Sequence, residues 1–171
     1  MKERKGLVTM LGNPVTLVGT EIKIGQVAPD FTVTDNDLGP VRLSDFKGKI
    51  VLISAVPSLD TSVCSKETQR INEEAKKISA DVVFLTISMD LPFAQKRWVK
   101  EHNVEHLKTL SDHLDASFGT AWGVLMKENR LLSRSLFIVD RDGKVRYIQL
   151  VKENASEPDY DDMLKALKKL A

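Results

Sequence analysis

Cysteine is almost missing from this chain. A single one, Cys64, stands among 171 residues, so no intramolecular disulfide can form and cysteines cannot build a structural zinc site. Charge of one sign is missing as well. The 25 basic and 24 acidic residues leave a net charge of +1, which offers no basic face to nucleic acid and no attraction to an anionic membrane. No apolar run approaches the ~20 residues of a membrane span. The opening MKERKGLVTML has the charged start of a signal peptide, but its apolar run stops at Gly12-Asn13-Pro14 and no small-residue cleavage site follows. Repeats, C-x-x-C, a P-loop and G-x-G-x-x-G are all absent, which argues against dithiol exchange and against the common phosphate cradles. These absences lead to the expectation of a soluble, cytoplasmic protein forming a single domain over 1–171, with neither nucleic acid nor membrane as partner.

What remains reads as alternating strands and helices. LVTML and VTLVG flank Gly12-Asn13-Pro14, which predicts an N-terminal β-hairpin over 7–19. DFTVTD alternates as a strand should, and Ser44 with Asp45 can cap a helical turn that ends at Gly48. KIVLISAV, 49–56, is a continuous β-branched run, the pattern of a strand covered on both faces. Residues 62–78 predict an amphipathic helix whose apolar stripe is Val63, Ile71, Ala75 and Ile78 and whose other face is charged. DVVFLTIS is a second buried strand, and LPFAQKRWVKEHN a helix with Pro92 in its first turn, where proline is tolerated. LKTLSD, a short helix closing near Gly123, a hairpin turning at Asp142-Gly143 and an acidic-to-basic terminal helix complete the order. The implied fold is α/β and thioredoxin-like: a central mixed sheet flanked by helices, with an N-terminal β-hairpin.

The lone thiol falls where strand 49–56 hands over to helix 62–78. Unpaired backbone N–H groups and the helix dipole favour an anion in a helix's first turn. Thiols so placed ionise more readily than free cysteine, whose pKa is ~8.5, and the thiolate is the nucleophile. Thr61 lies near the cap, with a hydroxyl able to donate to the sulfur or to a bound oxygen. Pro57 ends the strand and can wall the pocket from water. Position alone leaves a second possibility open, since an isolated cysteine often serves as a small buried hydrophobe.

The spacing Pro57-x-x-x-Thr61-x-x-Cys64 resembles the peroxidatic-cysteine motif of the peroxiredoxins. SMDLPFAQKRW, 88–98, is similar to the signature of their thiol peroxidase subfamily, as are GNPVTL near the start and EPDYDDML near the end. The resemblance covers essentially the whole chain. It implies a peroxidase without metal or organic cofactor that reduces hydrogen peroxide and alkyl hydroperoxides. Cys64 would pass through a sulfenic acid, and thioredoxin or another thiol would restore it. Thr61 and the backbone N–H groups near 63 and 64 would hold the peroxide. The resemblance also implies a homodimer and an arginine from a neighbouring strand. Arg134, in LLSRSLFIVD, matches that arginine, and Arg130, Arg141 and Arg146 lie nearby.

The chain departs from the family in one respect. The signature normally ends in a resolving cysteine, and here Val99 follows Trp98. Three explanations are open: a natural one-cysteine enzyme, a substitution that holds the reduced state, or a Cys64–Cys64 bond between subunits. A deliberate replacement would more often be serine or alanine, which favours the first. A redox sensor or binding protein on the same fold, oxidised once without turnover, is the alternative function. HNVEH, 102–106, fits a zinc-peptidase pattern, but the helix runs out near Asn103 and no third ligand is evident, so no metal is expected. Phe93, Trp98 and Trp122 read as core or interface.

Overall fold

The computed structural model describes all residues, Met1–Ala171. Its main sheet has seven strands in the order β10-β9-β5-β6-β7-β3-β4. They are β3 (Thr32–Thr34), β4 (Pro40–Arg42), β5 (Ile50–Ala55), β6 (Val82–Ser88), β7 (Lys108–Ser111), β9 (Ser135–Val139) and β10 (Val145–Leu150). β5, β6 and β7 run parallel, and β9, β10, β3 and β4 join antiparallel on the two sides, so the sheet is mixed.

β5 is buried along its whole length, which suits its Ile50-Val51-Leu52-Ile53 run. Ile50 and Leu52 face one core, and Val51, Ile53 and Ala55 face the other. Ile50, Val51, Leu52 and Ile53 each contribute about 1.5–3 kcal/mol by leaving water, so the strand that leads into the Cys64 loop is held firmly. The first core includes α1 (Ser62–Ala75), α2 (Pro92–Glu101) and α4 (Tyr160–Leu170). The second centres on Phe31, Phe118, Trp122 and Phe137, beside α3 (Ser117–Ala121). Pro92 opens α2 as its sequence suggests, and Asp159 caps α4, its side chain accepting the Asp162 N–H at 3.0 Å.

Several elements differ from expectation. The N-terminal hairpin pairs β1 (Glu3–Met10) with β2 (Asn13–Val18), so its first strand begins four residues before residue 7. The charged stretch at its start reads in sequence like the charged start of a signal peptide. It is nevertheless recruited by the strand ladder and by Arg4, whose Nη2 donates to the Gly123 carbonyl at 2.6 Å. The turn is Leu11-Gly12, both at positive φ (52° and 81°), and Pro14 already lies inside β2. A two-residue strand, β8 (Leu125–Met126), extends the hairpin into a second, three-stranded sheet; two residues are too few for any pattern to announce. α1 ends at Ala75, before Ile78. Its buried face carries Cys64, Glu67, Thr68, Ile71 and Asn72, while Val63 is only half-buried. The expected apolar stripe is thus partly polar, and a glutamate assigned to the charged outer face points inward. No helix is long and apolar enough to cross a membrane.

Candidate active site

Strand pairing alone brings the distant residues together. Ala55 of β5 is level with Ser135 of β9 and with Ile87 of β6. One step further, Arg134 therefore stands beside the end of β5, and Ser88–Asp90 beside the loop that begins at Pro57. Pro57 is buried at that strand end. Asp90 braces the loop by accepting Ser58 Oγ at 2.6 Å, Leu59 N–H at 2.8 Å and Ser88 Oγ at 2.7 Å. The loop then delivers Thr61 as the N-cap of α1, where its Oγ1 accepts the Cys64 N–H at 3.2 Å.

Thr61 departs from the expected geometry. Its hydroxyl proton goes to the Ser58 carbonyl at 3.1 Å and not to the sulfur, and the Cys64 N–H is taken by the cap. A side chain that can close the local turn does so, because an unmet carbonyl or N–H costs more than an ordinary hydrogen bond returns.

Cys64 is fully buried, whereas ready attack would want its sulfur uncovered. Arg134, only 1% exposed, reaches it: Nη2 donates to Sγ at 3.1 Å. Nη2 and Nε also donate to the Asn154 carbonyl at 2.8 and 3.0 Å, and Nη1 donates to Glu67. A guanidinium has five N–H groups. These bonds engage four and leave one, on Nη1. Glu67 is completely buried and also accepts Ser54 Oγ at 3.1 Å. Its carboxyl is raised to about 6, since burial outweighs the charge and hydrogen bond of Arg134. Burial by itself would lower Arg134, but Glu67 and then Cys64 more than offset it and raise it above the ordinary guanidinium value.

Of the residues singled out from sequence, Pro57, Thr61, Cys64 and Arg134 converge here. Arg130, Arg141 and Arg146 do not; Arg146 pairs with Asp140 at 2.6 Å. Glu67, Asp90 and Asn154 went unforeseen. Only Glu67 carried a signal: three residues after Cys64, it must share that residue's helix face. Trp98, in the last turn of α2, donates through Nε1 to Ser65 Oγ at 3.0 Å, which links the neighbour of Val99 to the neighbour of Cys64. Val99 itself is half-buried against the same core. Phe93 is 66% exposed. His102 lies just past the end of α2, stacked on Trp98 at 4.6 Å between ring centroids, and no group of three His, Cys, Asp or Glu side chains could hold a metal ion.

The site is thus one thiol in the first turn of a helix, facing an arginine that immediately precedes the adjacent strand of a mixed sheet. The profile of the family described as Redoxin matches residues 23–164. The thiol peroxidase of Listeria innocua is 54% identical over 162 residues, 95% of this chain and 98% of that one. That of Bacillus subtilis is 52% identical over 163 residues, 95% and 97% of the two chains. Among solved structures, a peroxiredoxin-like protein from Aquifex aeolicus superposes with a TM-score of 0.91 at 40% identity, over 98% of this chain and 99% of that one. The chain belongs to the redoxin family and, within it, to the thiol peroxidases, without their usual resolving cysteine.

Proposed function

We propose that this thiol-dependent peroxidase reduces hydrogen peroxide and alkyl hydroperoxides at Cys64, and that an external thiol such as thioredoxin restores the enzyme. The observation that carries the reading is the 3.1 Å contact between Arg134 Nη2 and Cys64 Sγ. The thiolate is the nucleophile, and the guanidinium is its counter-charge. Sulfur attacks the terminal oxygen of ROOH, the S–O bond forms, and the O–O bond breaks. Cys64 becomes a sulfenic acid while the leaving RO⁻ takes a proton and departs as alcohol or water. Negative charge grows on that leaving oxygen, and the Arg134 guanidinium, held beside the sulfur through Nη2, is the fixed positive charge that meets it, as in an oxyanion hole. Two external thiols then reduce the sulfenic acid, releasing water and leaving as a disulfide.

Pro57 closes the pocket behind the sulfur. Thr61 holds the first turn of α1 and turns its hydroxyl from the Ser58 carbonyl to the bound peroxide. Because Cys64 is buried while Thr61 and Ser62 are exposed, substrate enters over that first turn, which shifts to uncover the sulfur. The reading takes 1–171 as one domain in a soluble, cytoplasmic protein. A homodimer is supported by the exposed Leu91, Phe93 and Leu114, and sedimentation checks it.

The test is intact-mass spectrometry of reduced protein after one equivalent of cumene hydroperoxide with a sulfenic-acid trap, then turnover coupled to thioredoxin. A stoichiometric adduct on Cys64 with turnover is expected, and Cys64→Ser should abolish both. An adduct without turnover favours a redox sensor, a reading to which the buried sulfur and the absent second cysteine lend weight. In Val99→Cys, one equivalent of peroxide should yield an intrachain disulfide with Cys64, since α2 already touches the first turn of α1 through Trp98 and Ser65. Accumulation of sulfenic acid without a disulfide would show that the two segments do not approach further.

A further inference from the structure

Arg134 is held from a direction that the peroxide chemistry does not explain. Behind it lies Asn154, 1% exposed, in the segment between β10 and α4. The Asn154 carbonyl receives both Nε and Nη2 of Arg134. Its side chain accepts the Arg134 N–H at 2.6 Å and Ser133 Oγ at 3.2 Å on Oδ1, while Nδ2 donates to the Thr9 carbonyl at 3.0 Å. The Asn154 N–H also goes to Thr9, at 2.8 Å. One side chain thus joins the backbone before β9 to the backbone of β1 in the N-terminal hairpin.

The next residue strengthens the connection. Glu153 accepts Gly12 N–H at 2.7 Å and Thr9 Oγ1 at 2.9 Å on Oε1, and Leu11 N–H at 3.1 Å and Ala155 N–H at 2.6 Å on Oε2. The bond from Ala155, then that from Gly12, helps bring its carboxyl down to about 2. The hairpin turn is therefore clamped to 153–155 through a charge that persists at any working pH, and 153–155 carries the carbonyl on which the guanidinium rests.

We propose that Asn154 is a positioning residue for Arg134, and that through it the N-terminal hairpin sets the guanidinium against the Cys64 sulfur. The inference rests on the reading of Arg134 as the group that serves thiolate and peroxide. A hydrogen-bond donor displaced by a fraction of its reach loses most of its effect on a transition state, because the charge it meets exists only at one point. Asn154→Ala keeps the main-chain carbonyl and removes the side-chain bonds to Arg134, Ser133, Thr9 and Met126 that aim it.

The test is a double-mutant cycle on the second-order rate of Cys64 oxidation by hydrogen peroxide, followed by rapid quench and mass spectrometry. Asn154→Ala should slow the reaction about tenfold or more, and Glu153→Gln, at the surface, by roughly threefold. In an Arg134→Ala background neither should slow it further, since both act through the arginine. A general loosening of the fold would instead subtract the same factor in both backgrounds, and that result overturns the proposal. Parent rates in both single variants overturn it as well. Should Asn154→Ala fail to fold, Glu153→Gln in the two backgrounds decides the matter by the same criteria. If Arg134→Ala itself reacts at the parent rate, the reading of the arginine falls; if it is slow while Asn154→Ala is not, only the positioning role falls.

Discussion

Two carboxylates are buried in this protein, Glu67 on α1 and Asp112 just after β7, both raised to about 6 by burial, yet different groups satisfy them. Asp112, after β7, accepts the N–H groups of Phe118 at 3.0 Å and Gly119 at 2.8 Å, and so orders the start of α3. Glu67 accepts Ser54 and the guanidinium of Arg134. Backbone N–H groups are fixed in a helix and can serve only the group they meet. A guanidinium has five donors, and the one on Glu67 also reaches the sulfur. A perturbed carboxyl therefore does not by itself mark a reactive site. The mark is a cation shared between the carboxylate and a nucleophile.

Removing that cation should have the largest effect. Arg134→Ala is expected to slow peroxide reduction on the order of 10²–10³-fold. It should also cost about 3–5 kcal/mol near neutral pH, because Glu67 is left as an uncompensated buried charge. Without its partner, the folded Glu67 carboxyl lies still further above its unfolded value of 4.5. A group raised in this way contributes its full stability below the unfolded value and loses it as pH rises through the folded one. Urea unfolding should therefore find the variant less destabilised at about pH 5 than at about pH 7.5. Equal losses at the two would mean that Arg134 does not compensate the charge of Glu67.

Adding Glu67→Gln to Arg134→Ala sharpens the contrast. A neutral amide has no charge to desolvate, so part of the lost stability should return, with about 1–3 kcal/mol as the scale. The peroxide rate should not recover, since the donor beside the sulfur is still missing. Recovery of the rate in a stopped-flow assay would show that Glu67 had been inhibiting the site and that Arg134 was dispensable.

The smallest effect is expected at the other carboxylate. Asp112→Asn should leave the peroxide rate unchanged, because nothing at α3 touches Cys64. The folded value of Asp112, about 6 against 3.8, means that its stability is fully present only below the lower figure and declines through the higher one. Asparagine has no such decline. The urea midpoint of the variant should thus gain on the parent between about pH 4 and about pH 7.5. A slowed peroxide reaction would tie α3 to the site.

Much of the architecture was legible before any coordinates. β5 and β6 read as buried strands because both faces of each are covered, and Pro92 announces a helix start through chemistry local to the chain. The hairpin was harder. Its turn needs two residues at positive φ, which Leu11-Gly12 adopt, and Pro14 drew attention to the wrong place. At the site, Pro57, Thr61 and Cys64 were readable because they lie within eight residues of one another, and their spacing carries the family resemblance.

The sequence by itself determined that one thiol stands at a strand-to-helix junction and that no second cysteine can resolve it. It also determined the alternation of strands and helices, since burial on one or both faces is written in the order of side chains. Only the tertiary structure decided that Arg134, which the family resemblance picked out, touches the sulfur, that Glu67 turns inward to share it, and that Asn154 supports it from behind. Those facts depend on strand register and on contacts across 67, 70 and 20 residues of chain, and local sequence preference carries no information over such separations. The burial of the sulfur was decided there too, because exposure belongs to the packed molecule and not to the residue.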